Sequence, residues 1–107
     1  MKARRIGIFG GTFDPVHQGH LIIAQEAVLR LKLDRMLFLP ASRSPLKRGP
    51  GLADVEHRLA MLRLATRGHP QFEVSTIEAE RGGVSFTVST LEALSRTLRG
   101  ELFLLMG

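Results

Sequence analysis

Two histidines, His17 and His20, stand close behind a short apolar run within Gly10 to Leu21, GGTFDPVHQGHL. A neutral imidazole offers one N–H donor, and two imidazoles at one spot can donate hydrogen bonds to phosphate oxygens as charge builds up during a transfer. Gly10-Gly11 lets the backbone turn tightly and come close to a ligand, because glycine has no Cβ to obstruct it. Thr12 and Phe13 then present backbone N–H groups to an anion. Asp14-Pro15 makes a rigid turn, and His17-Gln18-Gly19-His20 leads into the first turn of a helix expected to begin near Gly19 or His20. The unpaired N–H donors and positive dipole end of a helix N-terminus suit phosphate.

Other phosphate and metal motifs do not fit. A Walker A loop needs Gly-Lys-Ser or Gly-Lys-Thr and a dinucleotide fingerprint needs Gly-x-Gly-x-x-Gly; neither occurs here. A zinc helix wants histidines at i and i+4 with a glutamate beside them, which His17 and His20 do not supply.

Strands and helices must position these residues. Ile6 to Phe9 and Met36 to Leu39 read as buried strands, and Phe72 to Ser75 and Leu102 to Met106 as two more. Leu21, Ala24, Val28 and Leu31 recur at helical spacing, as do Val55, Leu59 and Leu62, and then Val88, Leu91, Leu94 and Leu98. The leucines at 21, 31, 59, 62, 91 and 94 and the methionines at 36, 61 and 106 are core by that spacing. Asp54 is placed to cap the second helix, Gly68 and Pro70 to stop it, and Gly100 to stop the third.

The resulting βαβαβαβ order predicts an α/β fold with a doubly wound, Rossmann-like parallel sheet, whose ligands bind at the carboxyl ends of the strands. Two long connections, 41–53 with Arg43, Lys47 and Arg48 and 76–84 with Glu80-Arg81-Gly82-Gly83, follow strands and so belong on that side.

Composition narrows the partners. The chain has 107 residues, the size of one domain spanning 1–107. A net charge of +5 favours anionic partners, but six Phe with no Tyr or Trp, and no basic stretch interleaved with them, argue against nucleic acid. The absence of cysteine, of a long apolar run and of a signal-like N-terminus predicts a cytoplasmic protein with no membrane partner.

The segment GGTFDPVHQGHL resembles the nucleotidyltransferase superfamily that shares a His-x-Gly-His signature with class I aminoacyl-tRNA synthetases. His17 in the first position resembles nicotinate mononucleotide adenylyltransferases and cytidylyltransferases, whereas pantetheine-phosphate adenylyltransferases usually carry Thr there. Arg81 to Leu94, RGGVSFTVSTLEAL, looks like the bacterial nicotinate mononucleotide adenylyltransferase segment, and Arg58, Met61, Leu62 and Ala65 fit its helix pattern.

The resemblance implies a strand order 3-2-1-4 and transfer of AMP from ATP to nicotinate mononucleotide, giving deamido-NAD and pyrophosphate in NAD biosynthesis. It implies His17, His20 and Lys47 as catalytic residues and Mg²⁺ as the ion accompanying ATP. Gly10, Gly11, Thr12, Phe13 and Gly19 then line the ATP site, and Ser85, Phe86 and Thr87 the nicotinate site. A pantetheine-phosphate adenylyltransferase, a cytidylyltransferase and a catalytically incomplete nucleotide-binding portion are the alternatives.

The family usually shows Pro-Pro-His-Lys or Pro-Pro-His-Arg where this chain has Ser44-Pro45-Leu46-Lys47, which keeps the cation and loses the histidine. Phe86 stands for the usual Tyr and Ser89 for the usual Asp. The resemblance covers the N-terminal half of such a protein, so Leu102 to Met106 is expected to be an apolar sheet edge that invites self-association. The bland readings are equally concrete. His57 and His69 read as solvated surface residues, Lys47 and Arg48 as a solvated loop pair, and Ser85 to Thr90 as a helix cap.

Overall fold

The computed structural model describes residues 4–11, 13, 16–40, 55–76, 92, 94–96 and 100–106. Strand β1 (Arg5–Gly11) is followed by helix α1 (Gln18–Arg30), strand β2 (Arg35–Pro40), helix α2 (Val55–Thr66), strand β3 (Phe72–Val74) and strand β4 (Glu101–Met106). Glu92 and 94–96 are helical, within the third helix that the sequence predicts.

The four strands form one sheet in the order β3-β2-β1-β4, and every neighbouring pair is parallel. The expected order is therefore found. Ile8 lies opposite Leu37 and Leu104, and Phe9 opposite Phe38 and Leu105, so alternate residues line opposite faces.

One face packs Phe9, Met36, Phe38 and Phe72 against Ala24 and Val28 of α1 and Leu62 of α2. The other packs Ile8, Leu37 and Leu39 against Leu94. Helices change face where the chain changes direction. It steps from β1 to β2 to β3 with helices on one side, then returns past β1 to β4 with the third helix on the other, as right-handed crossovers require. The sheet is thus doubly wound, with β1 and β4 flanking the point where the winding reverses.

Several boundaries differ from the sequence reading. β1 runs through Gly10 and Gly11, which pair with Leu39 and Pro40, so the glycines extend the strand and the turn comes after them. α1 starts at Gln18, one residue before the earlier of the two predicted starts. Leu31 is exposed because the helix has ended there, leaving it at the C-cap. Asp54, Leu91 and Leu98 lie outside the described residues.

Gly68 closes α2 as expected, while the residues just before Gly100, where the third helix was expected to stop, lie outside the described residues. Gly68 follows α2 at φ +87°. Gly100 enters β4 at φ +145°, and a Cβ there would lie 2.2 Å from the Arg4 carbonyl oxygen, which accepts from the Glu101 N–H at 2.7 Å. Hydrogen bonds and an ion pair fasten the amino-terminal ends of the strands. The Arg5 N–H donates to Asp34 Oδ2 at 2.7 Å, Arg5 Nε donates to the Leu31 carbonyl at 2.8 Å, and Arg35 pairs with Glu73 across β2 and β3.

Candidate active site at the start of helix α1

Helix α1 begins at the carboxyl end of β1, beside the reversal point of the sheet, and its first residues carry the histidine pair. His17 is the N-cap in extended conformation, φ −140° and ψ 175°. Its Nδ1 accepts from the Gly19 N–H at 3.1 Å, while His20 Nδ1 accepts from the His17 N–H at 3.0 Å. The two imidazoles therefore close a reciprocal cap of the capping-box kind, in which each satisfies a backbone donor that the helix leaves unpaired.

That arrangement fixes the chemistry of both rings. A neutral imidazole whose Nδ1 accepts must carry its proton on Nε2. Both histidines are thus held as Nε2–H donors, the form able to hydrogen-bond an anion without carrying a formal charge. The ring centroids lie 3.9 Å apart. Partial burial, and then the neighbouring His17, push the pKa of His20 below the ordinary histidine value of 6.5. The helix N-terminus acts in the same direction, since its positive end opposes an imidazolium.

Gly19 has a steric reason to be glycine. A Cβ at this position would lie 2.9 Å from His17 Cε1 and 3.0 Å from His17 Nδ1. The capping imidazole occupies the space that a side chain would need.

Phe13, read from the sequence for its backbone N–H, also contributes a buried ring. Its side chain is buried, and its backbone sits in the left-handed region at φ +50°. A non-glycine residue there costs about 1–3 kcal/mol and persists only where packing over-determines it. The packing is aromatic: the Phe13 ring lies 5.3 Å from Phe9, 5.7 Å from Phe38 and 5.0 Å from His20.

The structure thus brings together His17, His20, Gly19 and Phe13 at the carboxyl edge where β1 delivers Gly10 and Gly11. Thr12, Lys47, Ser85, Phe86 and Thr87 lie outside the described residues. Among the described residues no group of three His, Cys, Asp or Glu side chains could hold a metal ion. His57 and His69 are exposed, as the sequence implies, and His69 stacks on Phe72 at 4.8 Å.

Two features escaped the sequence reading. His17 is the helix cap, a position usually filled by Ser, Thr, Asp or Asn, so cap-seeking rules pass over it. Arg58 in the first turn of α2 is fully buried, and its i,i+4 spacing with the buried Leu62 and Thr66 was the available signal.

A cavity of about 610 Å³ opens at the other end of the sheet, lined by Arg4, Arg5, Lys32, Asp34 and Glu101 among others. Its acids are interleaved with its cations, and Arg5 is already bound to Leu31 and Asp34.

Comparison with known proteins bears on the family and the fold. Residues 8–107 match the family described as Cytidylyltransferase-like. A protein of Roseiflexus sp. (strain RS-1) named "Probable nicotinate-nucleotide adenylyltransferase" is 51% identical over 107 residues, which are 100% of this chain and 54% of that protein. One of the same name from Thermomicrobium roseum is 49% identical over 104 residues, 96% of this chain and 49% of its own. The chain spans about half the length of these curated relatives.

The fold also matches the solved structure "Plasmodium falciparum nicotinic acid mononucleotide adenylyltransferase complexed with NaAD", with a TM-score of 0.69 at 15% identity over 88% of this chain and 46% of that one. With its parallel sheet, its histidine pair at the start of α1 and a family match over nearly its whole length, the chain belongs to the cytidylyltransferase-like family.

Proposed function

We propose that this chain forms the ATP-binding part of a nicotinate-nucleotide adenylyltransferase. The observation that carries the reading is the reciprocal cap of His17 and His20, two Nε2–H donors held at the carboxyl edge of a doubly wound sheet. The names of the relatives that are about half identical over the whole chain point to the substrates.

In the reaction, a phosphate oxygen of nicotinate mononucleotide attacks the α-phosphorus of ATP. The bond from that phosphorus to the bridging oxygen breaks, and pyrophosphate leaves with the electron pair, giving deamido-NAD. No covalent enzyme intermediate is needed, so the protein's part is positioning and stabilisation of charge. His17 and His20 donate to phosphate oxygens as charge shifts toward the leaving group, and Lys47 adds a cation. Gly10, Gly11, Thr12, Phe13 and Gly19 line the ATP site, and Ser85, Phe86 and Thr87 the nicotinate site.

Mg²⁺ would enter on the ATP phosphates and neutralise charge on the departing pyrophosphate, a mode that needs few protein ligands. Substrates of this kind place the work in the cytoplasm, and no helix among the described residues is long and apolar enough to cross a membrane. β4 pairs with β1 alone among the described strands, and we expect its free edge to favour self-association.

The test is calorimetry of ATP with Mg²⁺, followed by a pyrophosphate assay with nicotinate mononucleotide, with phosphopantetheine, and with CTP replacing ATP. Pyrophosphate release with ATP and nicotinate mononucleotide supports the reading; preference for phosphopantetheine or CTP moves the chain to another branch of the superfamily. The coverage of about half of each relative favours a second reading, a nucleotide-binding portion that binds without turning over. ATP binding with no product would establish that one.

A further inference from the structure

His20 is held by two kinds of contact, and among the described residues one of them has no counterpart at His17. Its Nδ1 accepts the His17 N–H, while its ring lies edge-on against two phenyl rings, 5.0 Å from Phe13 at 71° and 5.9 Å from Phe9 at 68°. Both phenylalanines are almost completely buried, and they touch each other edge to face at 5.3 Å. Phe9 is fixed in the central strand, and Phe13 reaches the same place only by taking a left-handed backbone. His17 is exposed and has His20 as its ring partner.

We propose that the side chains of Phe9 and Phe13 are positioning residues, forming an aromatic seat that sets the His20 ring in the one rotamer where Nδ1 caps the helix and Nε2 carries the donor proton. A terminal ring torsion is broad, so a hydrogen bond to one nitrogen does not by itself hold the ring in place. The two phenyl contacts hold the plane of the imidazole, and within that plane the bond from the His17 N–H selects the orientation in which Nδ1 caps the helix. The left-handed strain at Phe13 then has a use, because it accompanies the edge-on contact of its ring with the imidazole. The role in catalysis rests on the adenylyltransferase reading above, but the ring geometry can be tested without any substrate.

Phe38 provides the control. It is buried in the same cluster, 5.6 Å from Phe9 and 5.7 Å from Phe13, yet it belongs to β2 and makes no ring contact with His20. Long-range proton–nitrogen spectra of the histidine rings at pH 8 report which nitrogen carries the proton. In the unaltered chain His20 should show the Nε2–H form as its dominant tautomer, and Phe13→Tyr should keep it. Phe13→Leu and Phe9→Leu should give a mixture in which the Nδ1–H form becomes comparable in population. Phe38→Leu should leave His20 as it was, while lowering the melting temperature as much as the other two.

A pure Nε2–H signal in Phe13→Leu would overturn the proposal. So would an equal loss in Phe38→Leu, which would mark a general loosening of the core. If Phe9→Leu does not fold, the comparison of Phe13→Leu with Phe13→Tyr decides alone. Loss of ATP binding with an intact tautomer pattern would count against the adenylyltransferase reading and leave the seat standing.

Discussion

At the scale of single residues, His20 accepts a backbone hydrogen bond in the folded helix, and under the proposed function it also donates to phosphate in the transition state. Replacing it with alanine removes a donor whose contribution grows as charge develops, so in a chain that turns over kcat should fall about 10²–10³-fold with little change in ATP affinity. Steady-state kinetics beside calorimetry would show it, and an unchanged kcat would take His20 out of the machinery. Its lowered pKa also sets a sign for stability. Between the depressed folded value and the ordinary 6.5, the unfolded chain holds more protons than the folded one, so stability rises with pH across that window and falls as acid is added. Protonation at Nδ1 would also break the bond from the His17 N–H. Glutamine at this position can cap through its carbonyl and cannot titrate. His20→Gln should therefore lose less melting temperature than the unaltered chain between pH 7 and 5, and parallel curves would exclude His20 as the source.

At the scale of elements, the first turn of α1 shows how much was legible and why the rest was not. The glycine pair, the two histidines and the coming helix could all be read from Gly10 to Leu21. Their hydrogen bonds could not, because a histidine N-cap is uncommon and the choice of tautomer depends on the backbone angle at one residue. Gly10 and Gly11 read as a turn yet lie in the strand, since parallel pairing with Leu39 and Pro40 extends β1 to its end. Likewise Phe13 reads as a backbone donor until the clustering of Phe9 and Phe38 reveals what its ring is for. Gly19 tests this turn directly. Alanine there gains up to about 1 kcal/mol of helix propensity over glycine, while displacing the His17 ring forfeits a cap worth about 0.5–2 kcal/mol. The two nearly cancel. Gly19→Ala should thus change the melting temperature by only a few degrees, yet weaken ATP binding measured by calorimetry by about tenfold or more because the donor is misaimed. Normal binding by the variant would show that the space around Gly19 has no part in phosphate recognition.

At the scale of the whole molecule, the alternation of strands and helices was readable from apolar periodicity, and the strand order followed from the resemblance carried by the histidine motif. The reversal of winding accounts for both. It puts α1 and α2 over one face and Leu94 over the other, and the histidine pair lies past the carboxyl end of β1, the strand beside β4. Among the described strands β4 has β1 as its neighbour on one side. Leu104 is 48% exposed on the face that Leu94 covers only in part, while Leu102, Phe103 and Leu105 are half-buried. Where such an edge is left open, its N–H and C=O groups lie beside apolar side chains, the arrangement that natural sheets usually blunt with a charge. The 107-residue chain should therefore show an apparent mass that rises with concentration in size exclusion with light scattering. Leu104→Lys places a cation on that edge at a position already half open to water, so it should restore a monomer without lowering the melting temperature by more than a few degrees. A chain that is monomeric at every concentration before the substitution would show that β4 is protected as it stands, and the expectation of self-association would fall.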